Sequence, residues 1–213
     1  MAGRLRAVNV VHELIPDRAG DLDLTAIDKR PVTGRVRVLA LGVDGDTQFD
    51  SRHHGGPDQA VYAYAAEDYA WWSGDLGRDL TPGTFGDNLT TEGVDITGAL
   101  LGERWALGSV LVQVRSPRIP CRTFAGWLDQ SQWVKRFTEH GAPGAYLSVL
   151  QEGEVEAGDP IEAVHRPAHG ATIGDLFAML SGDRDPERLA RLGAAADDLV
   201  PEARERLARI TAG

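Results

Sequence analysis

The sequence holds a single cysteine, Cys121, in 213 residues. That excludes an internal disulfide and also a self-contained iron–sulfur cluster, which takes about four cysteine ligands. Any electrons the protein uses must therefore come from another protein. No uninterrupted apolar run is long enough to span a bilayer, and the N-terminal residues do not combine a basic stretch, an apolar run and a small-residue cleavage site. The expectation is a cytoplasmic, unanchored protein with no membrane partner. Basic charge is also scarce: 22 Lys and Arg against 32 Asp and Glu leave a formal net charge of -10. This opposes the phosphate neutralisation on which non-specific nucleic-acid binding rests, so no nucleic-acid partner is expected and the acidity serves solubility. Missing too are Gly-x-x-x-x-Gly-Lys, His-Glu-x-x-His, Gly-x-Ser-x-Gly and a Gly-x-Gly-x-x-Gly between strand and helix. The common nucleotide, zinc and serine-hydrolase readings lose their usual support.

What is present is a β-rich body with many short connections. Arg4 to Val11 and Gly34 to Leu41 place Val or Leu beside polar or basic residues as half-buried strands do, and Gln59 to Tyr64 reads as another strand. Trp105 to Val114, broken by Gly108-Ser109, reads as two strands joined by a tight turn, and Ala145 to Leu150 with Pro160 to Val164 as a late pair. Two helices interrupt this body. Glu67 to Leu76 carries Tyr69, Trp72 and Leu76 at helical spacing, and Ser131 to His140 carries Trp133, Val134 and Phe137; both aromatic stripes read as packing. From Ala171 the pattern turns helical. Thr172 and Asp175 form a capping box before Ile173, Leu176, Phe177 and Leu180, and Asp185-Pro186 caps a second segment. Pro201 opens a third, and three such short helices must pack together or onto the body.

Three segments are dense enough to carry chemistry. The first runs from Gly42 through Asp46 and Asp50 to Asp58. Its carboxylates lack the distal Glu and ligand period of a calcium loop, and no cysteine or histidine cluster completes a zinc tetrahedron around His53 and His54. A glycine-rich turn capped by Asp side chains accounts for Asp46 and Asp50 equally well. His54 stands directly before Gly55 and Gly56, which let backbone approach a ligand, and this points to a site role. The second segment, Pro82 to Thr90, offers turn amides and Asn88, suited to a heterocycle or phosphate, though alone it fits an Asx turn before a strand better. The third is Ser116-Pro117-Arg118-Ile119-Pro120-Cys121-Arg122. A lone cysteine is commonly an inert buried hydrophobe. Here two prolines stiffen the loop and two arginines favour thiolate, which could ligate a soft metal or attack an electrophile.

Taken in order, these segments resemble the MOSC domain, named for the C-terminal domain of molybdenum cofactor sulfurase. The resemblance runs through Gly45-Asp46 and Asp50, His54-Gly55-Gly56, Phe85-Gly86-Asp87-Asn88-Leu89, Arg118-Ile119-Pro120-Cys121, Gly144-Ala145-Tyr146 and Gly158-Asp159. It implies a mainly β, barrel-like cofactor-binding domain over residues 1–168 and a three-helix appendage over 169–213, as in the stand-alone bacterial subgroup. One departure is Asp87, where the family usually has Glu; the side chain is shorter but keeps its charge. The pyridoxal-phosphate domain of the sulfurase proper is lacking, so generation of a persulfide by that route is not implied.

The resemblance further implies a molybdenum-pterin cofactor with Cys121 as its molybdenum ligand. Arg118 and Asn88 would anchor the cofactor, with Arg52, Gly55, Gly56, Phe85, Gly86 and Pro120 around it, and His54 would orient it or relay a proton. Relatives reduce N-hydroxylated compounds, among them the mitochondrial amidoxime-reducing component, and the bacterial subgroup is linked to detoxifying hydroxylaminopurines. The expected activity is thus a molybdenum-dependent oxidoreductase acting on small N–OH substrates, fed by a separate ferredoxin-, flavin- or thiol-based donor protein. The alternative is a carrier of molybdenum cofactor, or of sulfur on Cys121, that turns over no small molecule.

Overall fold

The computed structural model describes residues 3–20, 23–47 and 55–212. Its body is a ring of seven strands: β1 (Gly3–Val11), β2 (Val61–Ala65), β3 (Leu89–Glu92), β4 (Arg104–Leu107), β5 (Val110–Ser116), β6 (Ala145–Gln151) and β7 (Pro160–His165). Around the ring the order is β7-β4-β5-β6-β2-β3-β1, and β1 closes it by pairing back onto β7, Gly3 opposite Ile161. Every junction is antiparallel except β2–β3, where Ala63, Tyr64 and Ala65 run parallel to Leu89, Thr90 and Thr91. The chain bridges that parallel pair through helix α1 (Ala66–Leu76) and the turn-rich stretch that ends at Asn88.

Alternation decides what each strand buries. In β5, Val110, Val112, Val114 and Ser116 are buried while Leu111, Gln113 and Arg115 between them are half-exposed. Strand β2 is buried on both faces and separates two cores. Val61, Ala63 and Ala65 face an apolar cluster that includes Leu5, Val8, Leu89, Val112, Val114 and Leu147. Tyr62 and Tyr64 face an aromatic cluster with Tyr69, Trp72, Phe85, Phe124, Trp133 and Phe137.

The aromatic cluster is roofed by α1, α2 (Arg122–Leu128) and α3 (Trp133–His140). The rings of Trp72 and Trp133 lie 4.5 Å apart and those of Phe85 and Phe124 5.1 Å, within the range where aromatic pairs attract. The stripes on α1 and α3 are therefore packing, as their spacing suggests. Helix α2 is not visible in the sequence, because Thr123 and Gly126 are weak helix formers; burial of Phe124 and Leu128 overrides propensity.

The C-terminal helices α4 (Ile173–Leu180), α5 (Pro186–Ala194) and α6 (Pro201–Ala212) pack onto the barrel. Ile173, Leu176, Met179, Leu192, Leu199 and Leu207 belong to the same cluster as the barrel interior. The capping box forms, with Asp175 N–H on Thr172 Oγ1 at 3.0 Å and Thr172 N–H on Asp175 Oδ2 at 3.1 Å. Asp175 also receives Arg188 and Arg191 of α5. His169 staples the junction: its Nδ1 accepts from Ala171 N–H, which leaves Nε2–H to donate to the Leu101 carbonyl at 3.0 Å. Two sequence expectations differ from the fold in detail. The late strands β6 and β7 do not pair with each other: β6 lies between β5 and β2, and β7 between β4 and β1. Among the described residues the body also carries three α-helices rather than two. No helix among the described residues is long and apolar enough to cross a membrane.

Candidate functional site

Three neighbouring strands set Tyr62, Tyr146 and Ser116 in one row, Tyr62 opposite Tyr146 and Tyr146 opposite Ser116. Beyond Ser116 the chain leaves the sheet as Pro117-Arg118-Ile119-Pro120, with Ile119 exposed and its neighbours on both sides buried. It re-enters regular structure at Cys121, the N-cap of α2, whose carbonyl accepts from Ala125 N–H at 3.1 Å. Cys121 is half-buried and packs on the aromatic cluster. The loop bearing the thiol is thereby fixed at one end by the sheet and at the other by a helix rooted in aromatic packing.

Arg118 turns inward. Its guanidinium carbon lies 4.4 Å from the Phe124 ring centre and 5.0 Å from that of Tyr62, and Nη1 donates to the Phe85 carbonyl. Burial works against the charge, but the acidic groups of Tyr146, Tyr62 and Cys121 raise its pKa above the ordinary value. No carboxylate among the described residues pairs with it. Burial likewise raises the Tyr62 and Tyr146 pKa values, which keeps both hydroxyls protonated at neutral pH.

The turn over Phe85-Gly86-Asp87-Asn88 supplies the opposing wall. Gly86 has φ +73°, and a Cβ there would stand 3.3 Å from Arg118 Nη1, so a side chain would crowd the guanidinium as well as strain the backbone. Asp87 is fully buried; Tyr69 donates to its Oδ1 at 2.5 Å, and Thr90 and Asn9 donate to Oδ2 at 2.6 and 3.1 Å. Burial nonetheless leaves its pKa raised, with the Thr90 and Tyr69 hydrogen bonds pulling the other way. The Asn88 amide is engaged on both sides. Its Oδ1 accepts from Tyr62 N–H at 3.2 Å, and Nδ2 donates to Asp46 Oδ2 at 2.7 Å.

Asp46 also accepts from Val11 N–H at 2.9 Å and pairs with Lys29. With its carboxylate taken up in this way, Asp46 acts as a cap that ties its loop to β1. Lys29 is partly buried, its side chain 9% exposed, and this burial lowers its pKa against the opposing pull of Asp46. Gly55 and Gly56 both have positive φ, and a Cβ at Gly56 would meet nothing within 4 Å, so this part of the loop borders open space. Arg52, His53, His54 and Asp50 lie outside the described residues. No group of three or more His, Cys, Asp or Glu able to hold a metal ion occurs among the described residues.

The structure thus brings together Arg118, Phe85, Gly86 and Asn88 and sets Pro120 and Cys121 on the adjoining loop. Sequence reasoning missed Lys29, Tyr62, Tyr69 and Asn9. One signal for Lys29 was available: it is one of only two lysines in an arginine-rich chain.

The family model for the MOSC domain matches residues 50–162. The chain belongs to the MOSC domain family. It is 36% identical over 149 residues to the uncharacterised protein YflK of Bacillus subtilis, covering 70% of this chain and 67% of that protein. It is 31% identical over 147 residues to a protein named reductase from Gibberella moniliformis, covering 67% of this chain but only 26% of that longer protein. The crystal structure of YiiM from Geobacillus stearothermophilus superposes with a TM-score of 0.78 at 28% identity, covering 98% of each chain. The seven-strand barrel with its helical appendage is thus shared with that solved structure, and the MOSC family is one associated with the molybdenum cofactor.

Proposed function

We propose that this protein binds a molybdenum-pterin cofactor through Cys121 and reduces N–OH groups of small molecules to amines. The observation that carries the reading is the buried Arg118 cation, three residues before Cys121, which donates to the Phe85 carbonyl and has no carboxylate partner among the described residues. A buried charge is costly unless compensated. An anionic ligand supplies the compensation, and a pterin cofactor bearing a phosphate fits. The donor set fits as well, since a lone thiolate matches a soft metal whose remaining sulfur ligands come from the pterin. When bound, the cofactor supplies two-electron chemistry, removing the N–OH oxygen as water.

The chain's own residues do the rest. Cys121 presents its sulfur from a rigid loop end, Arg118 holds the anionic cofactor, and Asn88 fixes the Asp87–Asn88 turn against Tyr62 and Asp46. Tyr62 and Tyr146, with rings 5.1 Å apart, wall the site on the sheet side. The reductase name of the fungal relative supports the oxidoreductase class, and the substrate class comes from the family resemblance. Electrons enter from a separate donor protein of ferredoxin, flavin or thiol type. The family resemblance assigns His54 and Arg52, just before Gly55 in the sequence, to the same cofactor.

The test is turnover of an N-hydroxylated purine and an amidoxime by protein produced in a cofactor-competent host, with an artificial electron donor. Formation of the aminopurine and of the amidine, each in proportion to molybdenum content, is expected. Full loading without turnover across a broad N–OH panel would leave a cofactor carrier instead.

A further inference from the structure

We propose that Tyr69 and Asp87 are positioning residues that set the Arg118 guanidinium for its anionic ligand. The inference rests on the reading of Arg118 as the anion anchor. Its physical basis is a chain of hydrogen bonds through one backbone residue, Phe85. The Phe85 N–H donates to the Tyr69 hydroxyl oxygen at 2.8 Å, and the Tyr69 hydroxyl donates in turn to Asp87 Oδ1 at 2.5 Å. On its other side, the Phe85 carbonyl accepts from Arg118 Nη1. The peptide carrying that carbonyl is also clamped by Gly86 N–H, which donates to the Gly83 carbonyl at 2.8 Å. Both peptide planes of Phe85 are therefore fixed, and the left-handed turn at Gly86 leaves room for the guanidinium above them.

Asp87 Oδ2 has a structural role, accepting from Thr90 and Asn9, while Oδ1 accepts from Tyr69. A fully buried carboxylate resists folding, and apolar residues of similar size often serve stability better. What the carboxylate does here is orient the Tyr69 hydroxyl so that its lone pairs face the Phe85 N–H. Arg118 is held on three sides, by the Phe85 carbonyl and the rings of Tyr62 and Phe124. The guanidinium has five N–H donors, and among the described residues only the Phe85 carbonyl takes one, which leaves the others for a ligand. Loosening Phe85 would let the planar fork turn and lose its fit to an anion.

The experiment is a double-mutant cycle on the full chain without cofactor, titrated with a fluorescent pterin monophosphate. Tyr69→Phe removes one oxygen and preserves the ring. It is expected to weaken binding about tenfold in the parental background, and less than about twofold when Arg118→Lys is also present, because lysine lacks the fork that Phe85 orients. Asp87→Asn, a second variant of nearly unchanged volume, should follow the same pattern. Thermal midpoints are recorded in parallel, since lost packing alone would lower them equally in both backgrounds. Equal weakening in both backgrounds, or no weakening by either variant, overturns the positioning role. Parental binding by Arg118→Ala overturns instead the reading of Arg118 as the anion anchor.

Discussion

Asn88 donates its side-chain amide to Asp46 Oδ2 at 2.7 Å, joining two loops that are 42 positions apart in the chain. The same amide oxygen caps the Tyr62 N–H at the start of β2. Replacing Asn88 with Ala leaves a buried backbone donor unpaired and takes one partner from Asp46. The expected loss is about 2–3 kcal/mol. Urea unfolding checks it, and a loss below about 0.5 kcal/mol would mean that water replaces both bonds.

Cys121→Ser nearly preserves volume but exchanges a soft thiolate for a hard hydroxyl. The position is half-buried, so stability should change by no more than about 1 kcal/mol. N–OH reduction should fall to a few per cent or less, with molybdenum content reduced. Arg122→Ala removes an exposed neighbouring charge and should lower activity only in part. Parental turnover by Cys121→Ser at matched molybdenum content would sink the ligand role.

Asp68 on α1 has its pKa raised from 3.8 to about 6, first by burial and then by Glu67 and Asp95. His140 Nε2 is 3.9 Å away, but burial lowers its own pKa against the pull of Asp75, so at neutral pH it adds no compensating charge. The folded state holds the Asp68 proton more tightly than the unfolded chain does. Its contribution is thus fully present below pH 4 and is lost as pH rises toward 6. Asp68→Asn should match the parent at pH 3.5 and exceed it at pH 7.5, by on the order of 1 kcal/mol after solvent screening. Denaturant titrations at the two pH values measure the difference, and a gain at the lower pH alone would reverse the argument.

Leu176 on α4 is fully buried in the cluster that fills the barrel. Truncation to Ala should cost about 2–5 kcal/mol. Because the appendage and the barrel share this cluster, calorimetry should show one transition shifted down as a unit. Two separated transitions would mean that the helices fold independently.

Much of the barrel is legible because its strands alternate: β1, β5 and β6 announce themselves through Val, Leu and Ala at every second position, while β2 shows itself as a short run of Val, Tyr and Ala. The helix caps at Thr172 and Asp185 are equally readable, since capping depends on residues three apart in sequence. Helix α2 is not, because its stability comes from Phe124 and Leu128 meeting rings distant in the chain. The site divides in the same way. Cys121 and Arg118 stand out through local charge and proline, whereas the part played by Tyr69 exists only once α1 lies beside the Phe85 turn. Asp46 could have been a cap or a ligand on sequence grounds, and only its contacts with Lys29, Val11 and Asn88 decide for the cap.

A closed ring with an odd number of members cannot alternate in direction all the way round. With seven strands, at least one junction must be parallel, and here it falls between β2 and β3. A parallel junction cannot be made by a tight hairpin, so the chain must travel back along the strand's length before pairing again. That obligatory return path carries α1 and the Phe85-Gly86-Asp87-Asn88 turn to the same rim as the Cys121 loop. The strand count itself therefore requires a returning connection of the kind on which the turn facing Arg118 is built. Adding or deleting a single strand would remove the need for that connection, and with it the support for the Phe85 carbonyl.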